Sequence, residues 1–353
     1  MDLVRDRKTG RFAGIRRISD MPDLRSSLGL LLKTVIAAIV IVAVAWHFQR
    51  LLRHPDVWQS LQQAELFWLL PAGFLYLIAH FIWGTFWIQL LWHEGAQVTW
   101  WQGLRAYFVS QFGKYIPGKA WVLLLRVGLL RSPELSPKTV AVTATYETLT
   151  SMSAGAIIGV GLLPWVGPQI DVQWNSPRGL AFVGVGISPF VLGVFTRYLK
   201  HLPNPPLRLL FRGLVQNSVG WLCLGLSLWL VLQSLLGGSE SLRRDVYLED
   251  LAAVALSYVA GFVVLVSPGG LGAREWVLQQ ILTPQLQDSL GAAGAGVAVM
   301  SCLVLRLVWT LFEVIVALGL LAWGPRLDRS WFHAAVADGL RQKHDADPGV
   351  RRV

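Results

Sequence analysis

Two stretches of this chain combine basic side chains with a backbone that no helix can run through unbroken. Gln111-Phe-Gly-Lys-Tyr-Ile-Pro-Gly-Lys-Ala-Trp121 carries Lys114 and Lys119 around Pro117 and Gly118. Ser267-Pro-Gly-Gly-Leu-Gly-Ala-Arg-Glu275 places Arg274 and Glu275 just after Pro268, Gly269, Gly270 and Gly272. A residue just past such a break opens a new helix, whose free amide groups and dipole favour an anion. Lys119 and Arg126 are seven residues apart and share a helical face, where two cations can hold one anion between them. The chemistry on offer is recognition of a phosphate or a carboxylate. The plainer reading is a loop whose basic residues touch lipid headgroups, and the residues alone leave both open. The glycines of the second stretch are no nucleotide fingerprint, because no strand and no βαβ pattern precede them.

A second set of charges lies inside apolar runs. Glu147 sits in the polar strip Tyr146-Glu-Thr-Leu-Thr-Ser151, and Arg306 and Glu313 are seven residues apart on one face. At the centre of a membrane helix each such charge costs at least about 2.5–3.5 kcal/mol, so it pairs or lines a cavity. These residues suit a polar path for a charged headgroup or a proton; the structural alternative is pairing, for example Arg306 with Glu147. Glu275, in the first turn after the break, complements the helix dipole. His80, among Tyr76, Phe81 and Trp83, reads as a hydrogen-bonded packing residue, and Cys223 and Cys302 read as core thiols. No metal-ligand spacing, nucleotide site or hydrolase or kinase motif is found, so neither metal nor cofactor is expected. Asp56 stands alone in its loop.

The elements that must position these groups are membrane helices. The 353 residues are 54% hydrophobic and 15% charged, with 17 Trp and a positive mean hydropathy. Soluble domains carry about 25% charged residues and rarely contain repeated apolar runs near 20 residues. The expected fold is therefore all-α and polytopic. Apolar runs fall at about Leu28–His47, Leu66–Leu91, Val140–Leu163, Gly179–Phe195, Leu214–Leu236, Leu251–Val266 and Ala292–Trp323. Trp92, Trp100, Trp101, Trp165, Trp174 and Trp323 cluster near their ends, where amphipathic rings settle.

The net charge of +10 resides in tails and loops, which suits anionic headgroups; without a basic soluble module, nucleic acid is not expected. Seven basic residues in 1–27 place the N-terminus in the cytoplasm, and the basic loop 197–213 agrees. The count is then seven or eight spans plus two broken or re-entrant segments at about 103–130 and 267–289. A crossing by Trp276–Leu290 gives eight and returns the basic tail, residues 324–353, to the cytoplasm. The run 290–323 needs a steep tilt or a break near Gly291–Gly296, since as one helix it is about 50 Å long against a core of about 30 Å. The domains read as a basic segment 1–27, one membrane domain 28–323 and a short basic tail 324–353.

Gly113-Lys-Tyr-Ile-Pro-Gly-Lys-Ala-Trp121 with Arg126, then Tyr146-Glu-Thr-Leu-Thr150, then Ser267-Pro-Gly-Gly-Leu-Gly-Ala-Arg-Glu275 resemble the lysylphosphatidylglycerol synthase transmembrane-region, or flippase-like, family. The resemblance runs over about residues 28–323. It implies a helical membrane domain with two re-entrant segments, moving lipids with polar headgroups between leaflets. It also marks Lys119, Arg126, Glu147, Arg274 and Glu275 as the matching motif residues. The soluble aminoacyltransferase domain of the bifunctional relatives does not fit in the 30 residues after Trp323, so lysine transfer is not expected. The expectation is a flippase-like transporter of the cell membrane, with Lys114, Lys119, Arg126 and Arg274 toward an anionic headgroup. Glu147, Glu275, Arg306 and Glu313 then serve as countercharges or polar path. Rival classes are a membrane glycosyl or headgroup transferase, and a non-catalytic partner in lipid or lipid-linked glycan synthesis. Membrane lipids are the expected partners, with a second copy or a biosynthetic enzyme as further ones.

Overall fold

Helix α1, Leu69–His93, carries two apolar faces of different kinds. Ala72, Tyr76, Ala79, Trp83 and Trp87 recur at helical spacing and are buried, whereas Leu70, Phe74, Ile78 and Phe81 recur at the same spacing and are exposed. A helix that shows large apolar side chains outward is solvated by lipid. The pattern repeats on α5 (Pro177–Tyr198), with Leu180, Val183, Ile187 and Val191 outward, and on α6 (Leu207–Leu236), with Phe211, Val215, Val219 and Leu222. The computed structural model describes residues 64–115, 120–130, 135–166, 177–199, 201–236, 246–263 and 272–323. The first apolar run, the tails 1–27 and 324–353, and the break residues Pro117, Gly118, Lys119, Pro268, Gly269 and Gly270 lie outside them.

The remaining helices are α2 (Trp100–Ser110), α3 (Ala120–Leu129), α4 (Pro137–Gly161), α7 (Tyr247–Val263), α8 (Ala273–Leu290) and α9 (Gly294–Trp323). Among the described residues, Leu66–His93, Gly179–Tyr198, Leu207–Leu236 and Ala273–Ala322 are long and apolar enough to cross a membrane. The chain is an all-α, multi-pass membrane protein. Helix α4 is as long as α1 but holds Thr143, Glu147, Thr150, Ser151 and Ser153 in its buried face. Surrounded by α1, α3, α5, α6 and α7, it meets protein where the others meet lipid, which is why it tolerates that composition.

Glycine lets these helices approach. A Cβ on Gly155 would fall 2.4 Å from the Trp221 ring, and one on Gly220 would fall 2.3 Å from Trp83 Nε1. Gly155→Val is expected to lower the thermal stability of the detergent-solubilised protein by about 1–3 kcal/mol, the usual cost of overpacking. Gly184→Val, with nothing within 4 Å, is the neutral control. Equal unfolding temperatures for the two variants would contradict this packing.

Two hairpins shape the centre. Between α2 and α3 a 3₁₀ turn spans Gln111–Tyr115, and Gly113 lies so close to α3 that a Cβ would sit 2.5 Å from the Val122 amide nitrogen. The long run 290–323 is broken only at its start, and the 30-residue helix α9 that follows is still about 45 Å long, which leaves the tilt to absorb most of the excess. Gly291 takes φ +61°, a 3₁₀ turn follows over Gly291–Ala293, and α9 starts at Gly294 against the backbone of Leu286 and Gln287. Gly296 meets nothing.

The registers fix where the hairpins end. Arg105 Nε donates to the Leu320 carbonyl at 3.0 Å, and nine residues on, Lys114 pairs with Glu313. The α2 hairpin thus enters along the C-terminal half of α9 and stops near its middle. On the other side Leu286 meets Gly294, while Glu275 meets Cys302 and Arg306. Trp276–Leu290 therefore runs beside the first half of α9 alone, and α8 opens about two turns short of the level where the α2 hairpin ends. The two levels on α9, Arg306 and Glu313, are about 10 Å apart.

Candidate functional site: a charged cluster at mid-bundle

Each of the two segments brings charge to the middle of α9. Lys114, at the tip of the first hairpin, pairs with Glu313 of α9 and donates to the Tyr76 hydroxyl at 3.2 Å. That hydroxyl in turn donates to Glu313 Oε2 at 2.6 Å. Glu313 is 1% exposed, whereas the Lys114 side chain keeps 24%.

Arg126 of α3 is enclosed. Its Nη1 donates to Glu147 at 2.8 Å and its Nε to Ser110 at 3.2 Å, and the guanidinium lies over the rings of Trp87 and Tyr107 at 4.6 and 4.5 Å. Trp87 is itself held by a bond to Thr143. Two ring faces and a bidentate-capable carboxylate offset the burial of a charge that would otherwise be prohibitive.

Arg274 follows Gly272, whose φ of +86° turns the chain into α8. Glu275 Oε2 accepts from the Gly272 amide at 2.7 Å, and its Oε1 pairs with Arg306. Arg274 is half-buried between Tyr258 and Trp309, with its guanidinium 4.4 Å from each ring centre. Among the described residues no carboxylate lies within ion-pair distance of it.

The pairing differs from the sequence expectation at Arg306 and Glu313. Spacing puts them on one face, yet they do not pair with each other, nor Arg306 with Glu147. Each reaches the nearer broken segment, Arg306 to Glu275 and Glu313 to Lys114. Glu275 acts both at the dipole and as an ion partner. His80 is buried, donates from Nδ1 to the Tyr76 carbonyl, and packs against Tyr76 and Trp83. Cys302 is buried and Cys223 half-buried, both as free thiols. Among the described residues no group of three or more His, Cys, Asp or Glu side chains could hold a metal ion.

Aromatic rings join the three charged groups. Tyr76 stacks on Trp309 at 5.0 Å and 21°; Lys114 meets the Tyr76 hydroxyl at the edge of this pair, and Arg274 lies over the Trp309 ring. His80 continues the line to Tyr107, beside Arg126. Tyr107, Trp87, Tyr258 and Trp309 carry no signal of their own in the sequence, and Tyr76 stands out there only as a neighbour of His80. What could have found two of them is spacing: Trp309 shares a helix face with Arg306 and Glu313, and Tyr76 is four residues from His80.

Among the described residues, Lys114, Arg126, Arg274 and Arg306 stand with Glu147, Glu275 and Glu313, leaving one cation in excess. A comparison with curated proteins returns no match. A family model described as the lysylphosphatidylglycerol synthase TM region matches residues 30–218. That is more than half of the chain and includes Lys114, Arg126 and Glu147; Arg274, Glu275, Arg306 and Glu313 lie beyond the matched residues. The chain belongs to the lysylphosphatidylglycerol synthase TM region family.

Proposed function

We propose that the protein moves a lipid with a phosphate-bearing polar headgroup between leaflets, and that Arg274 contacts the phosphate. The observation that carries this reading is the state of Arg274. Three cations of the cluster have carboxylate partners, and Arg274 has aromatic faces instead. Stacking holds a guanidinium while leaving its edge donors directed outward, the arrangement that suits an incoming oxyanion. Its place at the opening of a helix inside the bundle adds a favourable dipole, and broken helices at the substrate level are a recurring transporter device. Glu147 and Glu313 serve as countercharges while no lipid is present.

In this reading the protein resides in the cell membrane with both termini in the cytoplasm, an orientation supported by seven basic residues in 1–27 and six in 324–353. The test is reconstitution into vesicles containing a fluorescent anionic phospholipid, with leaflet exchange followed by quenching from outside. Exchange faster than in protein-free vesicles supports transport. No acceleration at verified incorporation contradicts it, and turnover of a lipid-linked sugar by the same preparation would favour a transferase. Loss of a biosynthetic enzyme's stability on deletion would favour a partner role.

A further inference from the structure

Glu313 is only half satisfied. Both of its donors, Tyr76 and Lys114, act on Oε2, while Oε1 is enclosed without a hydrogen-bond partner. A bare carboxylate oxygen at this depth is expensive, and a proton on it removes the expense. We infer that Glu313 Oε1 is a proton-binding site, and that its protonation hands Lys114 over to an incoming anion. The identity of that anion as a lipid phosphate rests on the function proposed above.

The charges around Glu313 make the two events one. Tyr76 bonds it from α1, with His80 packed behind Tyr76; Tyr107 belongs to α2, whose Arg105 is held about two turns away at Leu320; and Lys114 reaches it from the hairpin. Arg274 and Glu275 belong to α8 and Arg306 to α9 itself, while α6 contributes the Ser227 hydroxyl, bonded to Trp309. The cluster already holds one cation in excess. A proton alone would double that excess, whereas a proton arriving with a monoanion leaves it unchanged. A proton on His80 would add a cation beside Lys114, Arg274 and Arg126, while on Glu313 it neutralises a carboxylate. No bond other than O–H forms or breaks: the proton comes from water, and Lys114 stays an ammonium that exchanges Glu313 for phosphate. Lys114 is fitted to the exchange because, unlike Glu313, it is partly accessible.

By reciprocity, an anion bound tenfold tighter to the protonated form raises the proton's binding by the same factor, a midpoint shift of about one pH unit. The test is an infrared pH titration of the purified full chain in nanodiscs, with and without dihexanoyl phosphatidic acid. The expected result is a protonated-carboxyl band that grows on acidification, moves to higher pH with the lipid and is missing from Glu313→Gln. Lys114→Met is expected to keep the band and lose its response to the lipid. A band unchanged in Glu313→Gln, or a midpoint indifferent to the lipid, would overturn the assignment. Vesicle exchange separates the two readings. Linkage without lipid movement leaves the proton site standing and removes the transport reading. Lipid movement with the same pH dependence in Glu313→Gln does the reverse.

Discussion

Arg274→Ala is expected to slow lipid exchange about tenfold to a hundredfold while leaving the protein's level and unfolding temperature nearly unchanged. A hydrogen bond to a charged group contributes about 1.5–3 kcal/mol, and each 1.4 kcal/mol is a factor of ten. Stability is spared because Arg274 has no carboxylate partner to strand among the described residues. What it loses is stacking on Tyr258 and Trp309, at a half-buried position. Arg274→Lys is expected to fall between wild type and Ala. An ammonium keeps the charge but lacks the planar fork that two rings can sandwich and a phosphate can bridge. Equal exchange rates for Ala and wild type would remove Arg274 from the lipid path.

The second large effect is on stability. Glu147→Ala leaves Arg126, 2% exposed, without its ion partner in the middle of the bundle. Removing one member of a buried pair costs about 3–5 kcal/mol, much of it from the stranded charge. The variant is therefore expected to accumulate poorly and to unfold at a markedly lower temperature in detergent. The double variant Arg126→Met with Glu147→Leu is expected to recover most of that loss, since two apolar side chains strand no charge. Recovery of folding without recovery of lipid exchange would give the pair a functional part as well. A single variant as stable as wild type would show that the pair does not hold α3 against α4.

The two variants also mark how far the sequence could be read. The apolar runs and their boundaries follow from composition, so α1, α5, α6 and α9 lie near where hydropathy places them. Length alone calls for a tilt or a break in 290–323; Gly291 supplies a break at the start, but the 30 residues of α9 still exceed a bilayer core and leave the rest to tilt. Glu147, Arg274 and Glu275 stand out because charge in an apolar setting demands a partner or a role. Which partner is a different matter. Helical spacing relates Arg306 to Glu313, but spacing says nothing of the neighbouring helix, and both found their counterions there. The levels at which the two broken segments reach α9 are likewise a property of tertiary register. The aromatic residues were hidden for another reason. A Trp or Tyr in a hydrophobic run reads as packing or interface until a cation is placed on its face, as Arg126 is on Trp87 and Arg274 on Trp309.

The central claim is that Arg274 holds a lipid phosphate within the membrane. Native mass spectrometry of the detergent-extracted protein, with the bound lipid released and identified, tests it most directly. The account predicts a phosphate-bearing lipid retained by wild type at about one per chain, reduced in Arg274→Lys and lost from Arg274→Ala while the protein remains folded. Retention of the same lipid by Arg274→Ala, or a retained lipid without phosphate, would contradict it.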